Sequence, residues 1–250
     1  MDAQPLYINL VVPHGWHELG DEQLSQVFRL IASECSYEEI AITCLLAWSG
    51  LTVIGKQPSG NYLMQLGKEF FEADANTFAE LISQIDWLTK IPQTPVRLSK
   101  INGKAPLPAD FQGISFETFI ICDNLYQGFL QTKSDKILDE LAEVLYGGKV
   151  KLHDYERISI FYWFASLKDF FSLRFTDFFK PLPTESNNLL GDAPNIANLL
   201  QEAMDAQIRA LTKGDITKEQ EILALDTWRA LTELNAQARE YKQLQNQIKR

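Results

Sequence analysis

The reactive or ligating side chains of this 250-residue chain fall into four groupings. Gly50-Leu-Thr-Val-Ile-Gly55-Lys56-Gln57 follows the phosphate-loop spacing GxxxxGK up to its last position. There Gln57 stands where Ser or Thr would supply the hydroxyl that binds Mg²⁺. A phosphate loop also follows a strand and opens a helix, whereas this segment follows a helical pattern and has a strand-like interior, so a plain strand is expected. His14, His17 and Glu18 have metal-ligand spacing for a helix, but Pro13 and Gly15 make the segment a loop, and His153 is the only other histidine. No metal site is expected; Trp16 and Leu19 are read as core plugs ahead of the first helix. Cys122-Asp123-Asn124 with His153 holds the types for nucleophile, orienter and base. Yet Cys122 follows Phe-Ile-Ile on a helix read as buried, where thiols are usually inert, and Asp123 and Asn124 are expected to satisfy a helix end or a nearby loop. The carboxylates Glu38/Glu39 and Asp139/Glu140/Glu143 are spaced as solvated helix faces. The chain therefore reads as non-enzymatic, with no catalytic, cofactor or metal residues; an enzyme with an unrecognised site is the least favoured alternative.

Bulk properties agree. Acidic residues number 33 and basic residues 23, a net charge of −10, and no run of Lys or Arg is longer than two. Phosphate neutralisation needs the opposite balance, so neither nucleic acid nor an anionic membrane is an expected partner. No segment approaches the roughly 18 apolar residues of a membrane span. The start lacks the basic region and apolar stretch of a signal peptide, which suggests a cytoplasmic location. The odd count of cysteines, Cys35, Cys44 and Cys122, fits buried free thiols better than disulfides.

The pattern of elements is mainly α (α+β): a multi-helix domain with an N-terminal strand and a small β-hairpin, followed by a C-terminal helical hairpin. A strand is expected over 5–12. Helices are expected over 21–33, with Leu24, Val27, Phe28 and Ile31 on one face, from the capping box Ser36-x-x-Glu39 to Gly50, and from Thr77-x-x-Glu80 onward. Two apolar runs, 51–55 and 61–66, flank a Pro-Ser-Gly turn as a hairpin. Residues 91–113, with four prolines and an Asn102-Gly103 turn, read as an ordered loop or a small hairpin around Val96–Ile101, not a helix. Helices follow over 115–130, taken as the central buried one, then 135–146 and 155–171. The span 161–179 holds seven of the fifteen phenylalanines, read as core. Three prolines, Gly191 and polar residues make 181–194 a linker between a domain over 1–180 and a helical hairpin over 195–250. Protease is expected to cut there and leave a folded piece of 1–180.

The last helix is read as starting at the Thr217-x-x-Gln220 cap and running to the C-terminus, about 50 Å at 1.5 Å per residue. Its apolar residues fall at three- and four-residue spacings. Trp228, Leu231, Leu234, Ala238, Tyr241 and Ile248 are the expected protein-interaction residues, because a partner helix over 195–212 is too short to cover them all. Self-association through this helix, or a different protein partner, follows.

Several segments carry a family resemblance. Val12-Pro-His-Gly-Trp-His-Glu-Leu19 with Gln23-Leu24 resembles the start of a protein family of Bacteroidetes phages and prophages. Leu107–Gln112, Cys122–Gly128, Phe161–Lys168 and Asp226–Leu234 look like the same family, so the resemblance spans most of the chain; Gly20 stands where the opening pattern usually has Thr. Members look like tail-region or tail-assembly proteins, without an active-site motif. The resemblance implies a protein that binds other proteins, phage tail components among them, during tail assembly, or else a structural virion connector or ring component. Titration with ATP and Mg²⁺ is expected to show no saturable binding; a micromolar affinity lost in Lys56→Ala would overturn the strand reading of 50–57.

Overall fold

Cap chemistry and helical periodicity set most element boundaries in the computed structural model, which describes residues 10–179 and 196–248. The described residues form nine α-helices and one three-stranded antiparallel sheet, a mainly α (α+β) fold. The chain divides into two compact units, 1–92 and 93–250.

In the first unit a 3-10 turn, Trp16–Glu18, precedes α1 (Asp21–Ala32), which buries Leu24, Val27 and Phe28 at helical spacing. Helix α2 (Tyr37–Ser49) begins at the expected capping box: Ser36 Oγ accepts from Glu39 N, and Glu39 Oε2 accepts from Ser36 N at 2.8 Å. It ends at Gly50, whose φ of 71° suits a residue without Cβ. Strands β1 (Leu51–Lys56), β2 (Tyr62–Leu66) and β3 (Glu69–Ala73) pair in sequence order. Leu51, Met64 and Ala73 form the sheet's buried face with Leu46, Phe78 and Leu81 beside them. Helix α3 (Ala75–Ser83) is capped by Asp74, not by Thr77, whose N–H donates to Asp74 Oδ1 at 2.8 Å. Indoles then tie the ends of this unit together. Trp16 Nε1 donates to Lys90 O, Trp87 Nε1 donates to Pro13 O, and the Trp16 and Trp87 rings meet edge to face at 5.7 Å.

The second unit contains α4 (Phe116–Thr132), α5 (Asp135–Leu145), α6 (Asp154–Arg174), α7 (Ile196–Thr212), α8 (Glu219–Leu223) and α9 (Thr227–Ile248). Helix α6 is the most enclosed: Ile160, Trp163, Phe164, Ala165, Leu167 and Phe171 are buried, so apolar contact surrounds most of its circumference. Its buried hydroxyls, Ser159 and Ser166, donate to carbonyls three residues back, at 2.7 and 2.8 Å. Phe119 meets Phe111, Phe116, Phe164 and Phe171, and Phe111 also meets Phe164, in edge and stacked contacts between 5.6 and 6.4 Å. On the polar side, Arg157 Nε meets Asp139 Oδ1 at 2.8 Å and joins α6 to α5.

Four expectations change. The strand over 5–12 falls mostly outside the described residues, and 10–12 is not strand. The hairpin gains β3, because Gly67 at φ 60° turns the chain tightly after β2. The small hairpin sits at the Ile101–Lys104 bridge, not around 96–101. The last helix does not run from Thr217. A 3-10 turn (Ile216–Lys218) and α8 come first, the chain breaks at 224–226, and α9 starts afresh. The break follows from backbone pairing: Phe116 N donates to Leu225 O at 2.7 Å and Thr227 N donates to Ile114 O at 2.8 Å. An amide and carbonyl bound elsewhere cannot also serve a continuous helix.

The two compact units divide the chain at 92/93, inside the span expected as one domain over 1–180. The expected linker, 181–194, lies outside the described residues. Helices α7 and α9 pack on α4 within the same unit, and Ala230, Leu231 and Leu234 are buried there. Cleavage within 181–194 is therefore expected to leave two fragments that co-elute on gel filtration under native conditions. Separate elution of a folded 1–180 piece would restore the earlier boundary.

Candidate protein-interaction surface

The start of α9 is clamped. Asp226 caps it, accepting from Arg229 N at 3.2 Å through Oδ1, while Oδ2 accepts from Gly113 N at 2.8 Å. Thr227 Oγ1 donates to Ile114 O at 2.8 Å. Trp228 Nε1 donates to Asp110 O at 2.8 Å, and its ring meets Phe170, Phe171 and Phe175 between 5.7 and 5.9 Å. Arg174 lies over the same ring at 5.8 Å.

This placement separates the six expected interaction residues. Leu231 and Leu234 are buried in the unit's own core, and Trp228 is half-buried against the rings and the carbonyl it bonds. A side chain enclosed by its own unit is not free to anchor a second chain. Ala238 is half-buried. Tyr241 is 55% exposed and Ile248 85% exposed, and Leu244 between them is 58% exposed. The stripe thus runs from core to surface along one helix.

Where the cover ends, α7, α9 and the turn after α6 enclose a cleft of about 540 Å³. Ala206 and Ala210 on α7 face it together with Leu234, Ala238 and Tyr241 on α9. Methyl side chains on both walls leave the space open; larger residues at 206 and 210 would close it. The Ala206-x-x-x-Ala210 spacing was the available sequence signal, and it was missed beside the larger Ile208 and Leu211.

A polar knot closes one end. Asn235 Oδ1 accepts from Asp177 N at 2.8 Å and from Phe178 N at 3.0 Å, fixing the turn against α9. The Asp177 carboxylate meets Arg239 Nε at 3.0 Å and Lys242 Nζ at 3.3 Å. The hydrogen bond from Arg239, and then Lys242, hold its carboxyl below the ordinary value. These contacts are absent from any sequence pattern, because residues 62 and 65 positions apart make them.

The other candidate groupings stay apart. Cys122 is fully buried, and burial pushes its thiol well up; Cys44 is likewise pushed up to about 12. Asp123 Oδ1 lies 2.8 Å from Lys168 Nζ, Asn124 Nδ2 lies 3.9 Å from Met204 Sδ, and His153 stacks on Tyr155 at the start of α6. No hydrogen bond among the described residues links Cys122 to His153. His14 donates its backbone N–H to Glu18 Oε2 at 2.8 Å, closing the loop on itself. Among the described residues, no three His, Cys, Asp or Glu side chains are grouped to hold a metal ion, and no helix is long and apolar enough to cross a membrane. Lys56 ends β1 with its ammonium over the Tyr62 ring, and residues 50–57 are a helix cap and a strand.

The lowered carboxyl of Asp177 sets a sign for pH. A depressed folded value contributes stability above the ordinary value of 3.8, and that contribution is lost as pH falls through the lower folded value. Asp177→Asn is therefore expected to lower the melting temperature near neutrality, with the difference from wild type shrinking as pH drops below about 4. A constant difference across that range would remove the charge from the account of this turn. No family model, curated protein or solved structure matches the chain.

Proposed function

We propose that the protein acts by binding another polypeptide along the C-terminal end of α9 and the cleft beside it, without catalysing a reaction. The observation that carries this reading is the apolar stripe Tyr241–Leu244–Ile248, which continues past the unit's own cover. A helix face of this kind suits an apolar helix laid alongside it, a second copy of this chain or a different protein. The inert, buried thiols of Cys44 and Cys122 support a role without a nucleophile.

The resemblance of the opening segment and of 107–112, 122–128, 161–168 and 226–234 supports a setting in phage tail assembly. A structural connector or ring component of the virion is the second reading. The two differ in fate: an assembly factor is absent from finished particles, whereas a connector remains in them.

Truncation after Glu240 tests the binding surface. The full chain is expected to sediment as a larger species than the truncated one, or to retain a copurifying partner that the truncated one loses. The removed residues, 241–250, include Lys242 and its contact with Asp177, so a small fall in unfolding temperature is expected, while Leu231 and Leu234 stay covered. Equal sedimentation and equal partner content for the two would overturn the reading.

A further inference from the structure

The chain is acidic overall, yet two loops of the second unit are basic without exception. Residues 93–109 contain Arg97, Lys100 and Lys104 and no Asp or Glu. Residues 146–153 contain Lys149 and Lys151, again with no acid. With these five cations the net charge is −10, and without them it would be −15.

The fold lays the two loops side by side. Tyr146 Oη donates to Leu98 O at 3.0 Å, and Asn102 Nδ2 donates to Lys151 O at 2.8 Å. Asn102 and Gly103 turn tightly at φ 50° and 76°, and Ile101 pairs with Lys104 across the turn. Lys104 Nζ then reaches Lys149 O at 3.0 Å. Its path depends on Gly148, where a Cβ would stand 3.0 Å from the ammonium and where φ is 126°. Each of these bonds uses a carbonyl of the neighbouring loop, so the lysine side chains of that loop are left to point outward. Lys100, Lys149 and Lys151 are exposed. Arg97 lies with its guanidinium over the Trp163 ring at 5.6 Å and its Nε without a hydrogen-bond partner. Among the described residues, none of the five has a carboxylate within ion-pair distance, although other lysines and arginines of this unit, such as Arg157, Lys168, Arg239 and Lys242, do.

We infer that these paired loops, 97–104 and 147–151, are a docking surface for a short acidic segment of a protein partner, separate from the α9 surface and independent of it. Charge arrangement favours a protein segment over a nucleic acid. Screening limits the patch to its neighbourhood, about 8 Å at physiological salt. A few carboxylates on one or two turns of a polypeptide meet the exposed Lys100, Lys149 and Lys151 and little else. An extended duplex carries charge every 1.7 Å or so along its axis. It would run past the patch and over a chain whose remaining charge is strongly negative.

Fluorescence anisotropy on the full chain tests this, with a labelled oligoglutamate peptide of about ten residues and a DNA duplex of similar length as probes. The peptide is expected to bind, with affinity falling as salt rises. The variant Lys100→Gln/Lys149→Gln/Lys151→Gln should weaken it at least about tenfold with an unchanged far-UV circular dichroism spectrum, since each removed charge contributes a modest, additive share. Lys56→Gln/Lys68→Gln/Lys90→Gln, which removes three exposed lysines of the first unit, should leave the affinity within about twofold. Truncation after Glu240 should also leave it unchanged, which separates this surface from the one on α9. No peptide binding, equal losses in the two lysine variants, or tighter binding of the duplex than of the peptide would overturn the inference, the last in favour of nucleic acid.

Discussion

The join between 109–116 and 225–229 is the constraint on which the second unit depends. It consists of backbone bonds in both directions, Phe116 N to Leu225 O and Thr227 N to Ile114 O, closed by the Asp226 carboxylate. Two indoles hold the same loop from different helices: Trp163 donates to Ala109 O at 2.9 Å and Trp228 to Asp110 O at 2.8 Å. The join fixes the start of α4 through Ser115, the start of α9 through Asp226 and the end of α6 through the rings around Trp228. Each bond is worth only about 1 kcal/mol net, but a buried group left unpaired costs about 1–3 kcal/mol, so loss of one partner is felt by the rest. Trp228 has both an indole N–H and an aromatic body in this join, which is why the residue that looks like an interface anchor in the sequence is half-buried against its own unit.

That start determines what the far end of α9 can do. At 1.5 Å per residue its 22 residues extend about 33 Å from the clamp. Leu231 and Leu234 are covered, Asn235 holds the turn after α6, and Asp177 reaches Arg239 and Lys242. Among the described residues no hydrogen bond or ion pair to another element follows Lys242, and 243–248 are exposed. The stripe changes from core to surface without changing its spacing. Periodicity reports which residues share a face, not what covers the face.

The parts of the fold legible in the sequence are those set by neighbours along the chain. The Ser36–Glu39 capping box and the Leu24–Val27–Phe28 stripe of α1 depend on residues three or four apart, and both appear where expected. The Gly50 stop and the Asn102-Gly103 turn depend on backbone conformations that these residue types favour. The break at 224–226 was not legible, because Ile222, Leu225 and Trp228 continue a helical stripe straight through it. What breaks the helix is a pairing with residues more than a hundred positions away. The boundary between units escaped for a related reason. Proline content marks 181–194 as a linker, yet linkers join elements of one core as readily as separate ones, and only the packing of α9 on α4 distinguishes the cases. The Asp177 knot and the basic loops were likewise invisible as runs, since each is assembled from distant short pieces.

The exposed end of α9 is a better binding surface as part of this helix than it would be alone. A polar stretch of roughly ten residues with a few apolar positions does not form a stable helix in water, because the first turn fixes several residues for one hydrogen bond. Here that nucleation has already occurred at Asp226 and Thr227, and each later residue only propagates the helix. A partner meeting Tyr241, Leu244 and Ile248 therefore finds them already on one face, and the ordering cost that weakens coupled folding and binding is largely avoided. The intervening residues Gln243, Gln245, Asn246 and Gln247 keep the free helix solvated without adding like charges that would oppose close approach. The proposed basic-loop surface would work in the opposite way, through charge and with no apolar stripe. One proposed surface is expected to persist at high salt and the other to fade, so the two would contribute specificity by different physical means on one folded unit.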